Sequence, residues 1–307
     1  MVSFEATPGE EETRNAVSKL AQALQKGEFV ITAEIGPPKG TDVAEFRAKA
    51  RAFAGKVTAV NVTDNQRALV KLGPVAGSVV LMQEGIEPIC QMTCRDRNRI
   101  GLQSDLLGAA VYGIENILAL TGDPVKVGDH PDAKPVFDME SSQLLRTIGR
   151  LNEGFDLAGK PLHGATKFFA GAAINPNVPN LDAEMRRLER KIEAGAKFIQ
   201  TQAVYEAEVF ARFAAAAKQF RVPILAGILY LRSAKSARFI NKAIPGIRIP
   251  DADIVRLENA ADSEAEGVKI GIELIEALRP HCQGVHVMSV GQEQRLVEIV
   301  EQLNIPR

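Results

Sequence analysis

The chain has 307 residues, 46% of them hydrophobic and 24% charged, with a formal net charge of −1. This is the composition of a globular protein with a substantial core, and the absence of a basic block argues against nucleic-acid binding. No apolar run reaches the roughly 18 residues that a membrane helix needs, and the acidic run Glu10-Glu11-Glu12 argues against a secretory signal. Three scattered cysteines, Cys90, Cys94 and Cys282, predict a reducing, cytoplasmic setting, and no second Cys or His pair completes a metal site.

A regular alternation of strand and helix patterns follows a predicted N-terminal helical leader, residues 1–27, in which Val17, Leu20 and Leu24 recur at helical spacing over 10–26. Eight short apolar runs predict strands at 29–35, 57–63, 87–93, 116–120, 167–173, 197–202, 222–228 and 284–289. Helical patterns follow at 42–54, 74–85, 100–112, 141–152, 181–194, 206–219, 233–262, 264–279 and 292–303. Asp42 with Glu45, and Ser263 with Glu266, resemble capping boxes.

Eight strands, each followed by a helix, are typical of a (β/α)8 TIM barrel, an α/β fold, here with an extra N-terminal helix and one domain over residues 1–307. The main rival is an open doubly wound sheet, whose nucleotide-binding forms carry a Gly-rich turn after the first strand. Strand one instead ends in Glu34-Ile-Gly-Pro-Pro38, and the chain has no Walker A motif. The barrel is therefore the prediction.

In a TIM barrel the reactive groups lie at the carboxyl ends of the strands. Two isolated carboxylates occupy such ends, Glu34 after strand one and Asp123 after strand four, and we expect them to face each other across the barrel. Each of these two carboxylates also has an alternative, purely structural interpretation. Gly122-Asp123-Pro124 is ordinary turn chemistry, and Glu34 is compatible with an outward residue paired with Lys39.

Other polar residues are equally open to a structural interpretation. Gln202 is compatible with a simple strand end, and Glu184, Arg187 and Lys191 have the spacing of a solvated ion-pair ladder on one helical face.

The histidines predict no His-based metal site or catalytic triad. They are scattered along the chain, at His130, His163, His281 and His286. Only the last lies in a predicted strand, and no Gly-x-Ser-x-Gly elbow is present. A polar barrel end with few histidines favours chemistry carried by a cofactor.

Six short motifs, in order and each at a predicted strand end or helix, resemble the methylenetetrahydrofolate reductase family. They are Ala33-Glu34-Ile-Gly-Pro-Pro38, Val60-Asn-Val-Thr63, Gln91-Met-Thr-Cys94, Ala119-Leu-Thr-Gly-Asp123, Glu189-Arg-Lys-Ile-Glu-Ala-Gly-Ala196 with Thr201-Gln202, and Gly227-Ile-Leu229. The resemblance implies a flavin-containing barrel, with FAD, that belongs to one-carbon metabolism and methionine biosynthesis. Its reaction would be reduction of 5,10-methylenetetrahydrofolate to 5-methyltetrahydrofolate, with NADH or NADPH as electron donor.

The same resemblance implies residue roles. Glu34 would be the general acid, with a raised pKa. Asp123 would lie between flavin and pterin, and Gln202 would bind the pterin. Residues implied to line the flavin are Thr63, Asp64, Gln91, Thr121 and Gly122, and those implied to reach its distal phosphate end are Glu184, Arg190 and Lys191.

The chain departs from the family pattern at several of these positions. Gln91 and Thr121 replace a family His and Arg, and Ala203, Val204 and Ala234 stand near family aromatics. The electron donor therefore stays open between NAD(P)H and a redox partner protein, and a homo-oligomer is expected. The alternative functions are a flavin-free, pterin-binding methyltransferase barrel and a flavin-bearing scaffold.

Overall fold

The structure, a computed structural model, describes residues 18–244 and 246–303. Its centre is a closed barrel of eight parallel strands in chain order, in which the first strand pairs with both the second and the eighth. The strands are β1 Val30–Ile35, β2 Ala59–Val62, β3 Pro88–Thr93, β4 Asn116–Leu120, β5 Phe169–Ile174, β6 Phe198–Ala203, β7 Ile224–Leu229 and β8 Gly284–Met288. The predicted (β/α)8 fold is confirmed.

Eleven α-helices surround the barrel in the described ranges. They are α1 Lys19–Gln25, α2 Ala44–Phe53, α3 Pro74–Gln83, α4 Arg99–Val111, α5 Ser141–Asn152, α6 Leu181–Glu193, α7 Ala207–Ala217, α8 Ala234–Ala243, α9 Asp251–Asn259, α10 Ser263–Leu278 and α11 Glu293–Gln302. None of the described helices is long and apolar enough to cross a membrane. The single domain over residues 1–307 stays a prediction.

Helix α1 covers the end of the barrel where the strands begin. Leu20, Ala23 and Leu24 form one apolar cluster with inward side chains near the strand starts, which are Val30, Ala59, Ile89, Leu118, Phe198 and Leu225. Glu87 accepts the backbone N–H groups of Lys19 and Leu20 at 2.7 and 2.9 Å, which satisfies two free donors of the first helical turn. Residues 10–17 of the predicted leader helix, including Val17, lie outside the described residues. The opposite end, called the mouth below, is therefore the end left for ligands.

Both predicted capping boxes are wrong. Helix α2 begins at Ala44, and Asp42, two residues earlier, accepts the Ala44 N–H at 2.9 Å in a local turn. Helix α10 is capped by Asp262, whose carboxylate accepts two N–H groups at 3.0 Å. A carboxylate satisfies two helix-end donors at once, so the cap falls on Asp262 and Ser263 becomes the first helical residue.

A buried polar layer lies between the apolar floor and the mouth. Side chains alternate along a strand, so Val30, Thr32 and Glu34 of β1 all point into the barrel. The layer consists of Thr32, Asn61, Gln200 and His286, each at most 3% exposed. Asn61 and Gln200 exchange two amide hydrogen bonds, at 2.8 and 3.0 Å. This layer supports Glu34 from below.

Candidate active site

Glu34 is held at the top of β1 by donors from three other segments. Gln91 Nε2, on β3, donates to Oε2 at 2.7 Å, and Gln66 Nε2, in the loop after β2, donates to Oε1 at 2.9 Å. His286 Nε2, on β8, lies 3.7 Å from Oε2. The side chain is 10% exposed. The alternative pairing with Lys39 is wrong, because Lys39 forms its ion pair with Asp129.

The electrostatics of Glu34 differ from the expectation. Burial raises the pKa of the Glu34 carboxyl, but His286, Gln91 and Gln66 together outweigh burial and hold the pKa below its ordinary value. The predicted raised pKa of Glu34 is therefore wrong. Glu34 is a carboxylate at neutral pH.

Asp123 lies at the mouth after β4 and is tied to the loop that follows β2. Its Oδ2 accepts the backbone N–H of Arg67 at 3.0 Å. The same loop segment, Asn65 to Val70, also supplies Gln66 to Glu34. We call this segment the strap. The strap therefore bonds both predicted catalytic carboxylates at once.

The strap is fastened to the long loop between β4 and α5. Val70 N donates to Asp129 Oδ1 at 3.2 Å, and Lys39 pairs with the same carboxylate. Gly128 packs so closely that a Cβ there would stand 1.9 Å from the Ala68 carbonyl oxygen. The two loops thus pack against each other at the mouth.

Three strap residues have a backbone conformation that is energetically unfavourable for their residue types. Asn65, Arg67 and Ala68 have φ values of 44°, 57° and 55°, a left-handed region that non-glycine residues adopt at a free-energy cost. Asn65 offsets part of this free-energy cost, since its Oδ1 accepts the Lys71 N–H at 2.9 Å. Buried Arg95 donates to the Asn65 carbonyl at 3.1 Å.

The residues predicted to line a flavin lie around β2, β3 and β4, as expected of strand ends. Asp64 is buried, with Oδ2 accepting from Thr93 N, Thr93 Oγ1 and Arg97 Nη1 at 2.8, 2.8 and 2.7 Å. Thr63 is buried beside it, and Thr121 is exposed at the mouth. Gly122 has φ 97°, and a Cβ there would meet the Arg95 and Thr93 side chains at 3.0 and 3.2 Å. Glycine is required at this turn.

The residues predicted to reach the distal end of a flavin lie on α6, and two of them are bonded to the end of β5. Glu184 is buried in the first turn of α6, where Oε1 accepts the Asn175 N–H at 2.9 Å and Oε2 pairs with Arg187 at 3.2 Å. Lys191 donates from Nζ to the Ala173 carbonyl at 2.6 Å. Arg190 is exposed in the last turn of α6. The predicted ladder thus exists only between Glu184 and Arg187.

Gln202 lies near the end of β6, within a register irregularity between Gln200 and Ala203, and is exposed at the mouth. Two further pockets, of about 480 and 550 Å³, border α4 on the outer side of the barrel. Neither is lined by Glu34, Asp123 or Gln202. We place the candidate site at the mouth because the polar strand ends meet there.

Comparison with known proteins decides the family. A family model described as methylenetetrahydrofolate reductase matches residues 19–304. The chain belongs to the methylenetetrahydrofolate reductase family.

Curated relatives carry the same name. Methylenetetrahydrofolate reductase 2 of Schizosaccharomyces pombe is 28% identical over 70% of this chain and 35% of its own length. A probable methylenetetrahydrofolate reductase (NADPH) of Caenorhabditis elegans is 26% identical over 72% and 33%. The chain thus spans about a third of the length of these relatives. The 5,10-methylenetetrahydrofolate reductase of Pectobacterium carotovorum is 23% identical over 95% of both chains.

Among solved structures, an oxaloacetate acetylhydrolase aligns with a TM-score of 0.52 at 12% identity, covering 89% of this chain and 80% of that one. At this identity the likeness extends to the fold alone.

Sequence reasoning missed several residues that complete the site of this reductase-family chain. His286, Gln66, Arg95 and Arg97 were not proposed, yet two of them contact Glu34 and two hold the strap or Asp64. A signal existed for His286. The strand period of two places it inward, and closure of the barrel brings β8 beside β1.

Proposed function

We propose that this chain reduces 5,10-methylenetetrahydrofolate to 5-methyltetrahydrofolate. The observation that carries the proposal is Glu34, a carboxylate that points into the mouth of a barrel of this family and is surrounded by polar donors. Asp123 lies beside the same strap at the end of β4. Because the fungal and nematode relatives are much longer, the activity in their names comes to this chain as part of the proposal.

Glu34 would act as the acid. A proton that Glu34 takes up from solvent would go to the folate nitrogen N10 as the bond from the methylene carbon to N10 breaks, with the electron pair of that bond moving to N10. The methylene carbon, still bonded to N5, becomes an iminium that accepts a hydride and turns into the methyl group. Glu34 is left as a carboxylate, the form that its surroundings favour.

Asp123 and Gln202 would orient the pterin. Both are exposed at the mouth, one as an acceptor of hydrogen bonds and the other with an amide that donates and accepts. Asp123 becomes available when the Arg67 N–H leaves it. Release of the strap from Asp123 and from Glu34 is therefore part of substrate entry.

We propose FAD as the cofactor, held at its ring by Thr121, Gly122 and Asp123, with Thr63, Asp64 and Gln91 behind them. FAD, when bound, would supply the hydride. The fit is incomplete, because Lys191 is engaged by the Ala173 carbonyl and the strap occupies hydrogen-bonding positions on Glu34 and Asp123.

NADH or NADPH is the proposed electron donor, in keeping with the NADPH in the name of the Caenorhabditis elegans relative. A redox partner protein stays the alternative. We also propose a cytoplasmic location and a homo-oligomer. The three cysteines are buried and free, which agrees with a reducing compartment.

The test is an absorption spectrum of the purified protein, followed by assay of methylenetetrahydrofolate with NADH, NADPH and reduced ferredoxin in parallel. Flavin bands and formation of 5-methyltetrahydrofolate are the expected result. If a colourless protein still reduces methylenetetrahydrofolate with a nicotinamide donor, the hydride passes directly from the nicotinamide to the folate, and the proposal of FAD is wrong. Absence of folate turnover with every donor, with or without added FAD, would overturn the proposed reaction.

A further inference from the structure

Strands β6 and β7 change register at the mouth. Gln200 pairs with Leu225 and Ala203 pairs with Gly227, so β6 advances three residues where β7 advances two. One extra residue on one strand forms a bulge, which bends that strand and redirects the side chains beside it. The bulge lies at Thr201-Gln202, and bulges are common next to active sites.

The hydroxyl of Thr201 bonds to backbone groups on both strands of the bulge. Thr201 Oγ1 accepts the Gly227 N–H at 2.9 Å, a donor that a regular parallel ladder gives to a backbone carbonyl. The same hydroxyl donates to the Gln202 carbonyl at 2.8 Å. Because the contact with Gly227 is buried, loss of the hydroxyl would leave that N–H without its acceptor.

Close packing and a loop side chain also hold the bulge. A Cβ on Gly227 would stand 2.2 Å from the Thr201 carbonyl oxygen and 2.9 Å from the Gln202 carbonyl oxygen. Glycine inside a strand often marks such a close approach of two backbones. The Ala203 carbonyl accepts Asn177 Nδ2, from the loop after β5, at 2.8 Å. The backbone on both sides of Gln202 is therefore fixed by specific contacts.

Gln202 is the residue that the bulge presents to the mouth. Its neighbours Thr201 and Ala203 are 4% and 1% exposed, whereas Gln202 is exposed. Within residues 18–244 and 246–303, the side-chain amide of Gln202 has no hydrogen-bond partner. Both its donor and its acceptor are therefore available to a ligand.

We propose that Thr201 is a positioning residue that orients the Gln202 amide towards the pterin. This inference rests on the proposed reductase function, in which Gln202 orients the pterin, and it assigns a role to a residue that the function leaves without one. Thr201 is buried, and its hydroxyl is engaged by backbone groups of Gly227 and Gln202. It therefore acts on a ligand through Gln202.

The bulge is tested without any substrate by hydrogen exchange at the Gly227 amide in Thr201→Val and Thr201→Ser. Valine has the shape of threonine and no hydroxyl, so the Gly227 N–H should exchange about tenfold faster, relative to the amides of β2 and β3. Serine keeps the hydroxyl and should restore slow exchange. Equal exchange at Gly227 in Thr201→Val and in the unmodified protein would overturn the proposal whether or not the protein is a reductase.

The orientation of Gln202 is tested by a double-mutant cycle on folate affinity. Thr201→Val should raise the Kd of 5-methyltetrahydrofolate and the KM for methylenetetrahydrofolate about threefold to tenfold, with a smaller change in kcat. Thr201→Ser should stay close to the unmodified protein, and oxidation of the electron donor without folate should be unchanged in both variants. In Gln202→Ala, which has no amide to orient, Thr201→Val should cause no further loss of affinity. Full additivity of the two losses would show a merely structural role and overturn the proposal.

Thr166→Val is the matched control. Thr166 is 6% exposed and donates its hydroxyl to Asn152 Oδ1 at 2.6 Å, but it precedes β5, at the end of the barrel opposite the mouth. Valine there should lower stability and leave both folate constants unchanged. If the unmodified protein neither binds nor reduces folate, the proposed function fails and the pterin role of Gln202 fails with it, whereas exchange at Gly227 still decides whether Thr201 holds the bulge.

Discussion

The backbone N–H of Arg67 donates to Asp123 Oδ2 at 3.0 Å, one residue after Gln66 donates to Glu34 at 2.9 Å. Two neighbouring strap residues thus occupy hydrogen-bonding positions on both carboxylates of the candidate site. A ligand that uses the same positions on these carboxylates must replace the strap donors. The free energy of opening the strap is consequently a part of the binding free energy.

Gly128→Ala tests the closure of the strap. The new Cβ would stand 1.9 Å from the Ala68 carbonyl oxygen, so the strap or the β4–α5 loop must shift. We expect a loss of stability of about 1–3 kcal/mol and faster hydrogen exchange at the Arg67 and Val70 amides. The KM for folate should fall, because less free energy is needed to open the mouth.

The matched control is Gly108→Ala in α4, where nothing lies within 4 Å of the new Cβ. Alanine there should be neutral or stabilise the helix by up to about 1 kcal/mol. Unchanged exchange at Arg67 and Val70 in Gly128→Ala would contradict the close packing of strap and loop.

Glu34→Gln tests the acid. The amide keeps the size of the side chain and cannot give a proton to N10, so folate turnover should fall about 10²- to 10⁴-fold. Oxidation of the electron donor in the absence of folate should change little. Rapid-mixing measurements of the two half-reactions separate these effects, and an equal fall in both would show that Glu34 is not the acid.

The fold followed from hydrophobic periodicity, since each strand and helix buries its own face against a neighbour in sequence. Glu34 and Asp123 followed from their places at strand ends. The raised pKa of Glu34 was wrong because His286 meets it only through closure of the barrel between β1 and β8. The strap was missed because its left-handed residues, Asn65 and Arg67, are held by tertiary contacts that no local pattern shows.

Asp64→Asn tests whether the main role of Asp64 is to stabilise the fold through its ion pair with Arg97. Its carboxylate is fully buried and accepts from both Nη atoms of Arg97, at 2.7 and 3.1 Å. Breaking one side of a buried ion pair leaves Arg97 poorly compensated, and we expect a loss of about 3–5 kcal/mol in urea unfolding. Asp105→Asn removes the other, 43% exposed partner of Arg97 and should cost about 1 kcal/mol or less. Equal losses in the two variants would contradict a special role of Asp64.

Lys191→Met tests whether burial lowers the pKa of the Lys191 ammonium, and the measurement is the pH dependence of the free energy of unfolding. Burial, followed by the charge of Arg187, lowers the pKa of Lys191 from 10.5 to about 8. The unfolded chain therefore binds this proton more tightly than the folded chain, and the penalty is fully present below about pH 8. It is relieved as the pH rises towards the ordinary value of 10.5, so the free energy of unfolding gains a rising contribution across this window.

Methionine keeps the apolar stem of Lys191 and has no proton to lose, so this contribution should vanish in the variant. Urea unfolding at several pH values between about 8 and about 10.5 measures the difference from the unmodified protein. Arg190→Met, at the exposed neighbouring position, removes only one of the weaker charges that lower the pKa of Lys191 and should reduce the slope only in part. If Lys191→Met keeps the full slope, Lys191 is protonated normally in the folded protein. Its ammonium would then be open to solvent or to an anion, as a role at the phosphate end of a cofactor requires.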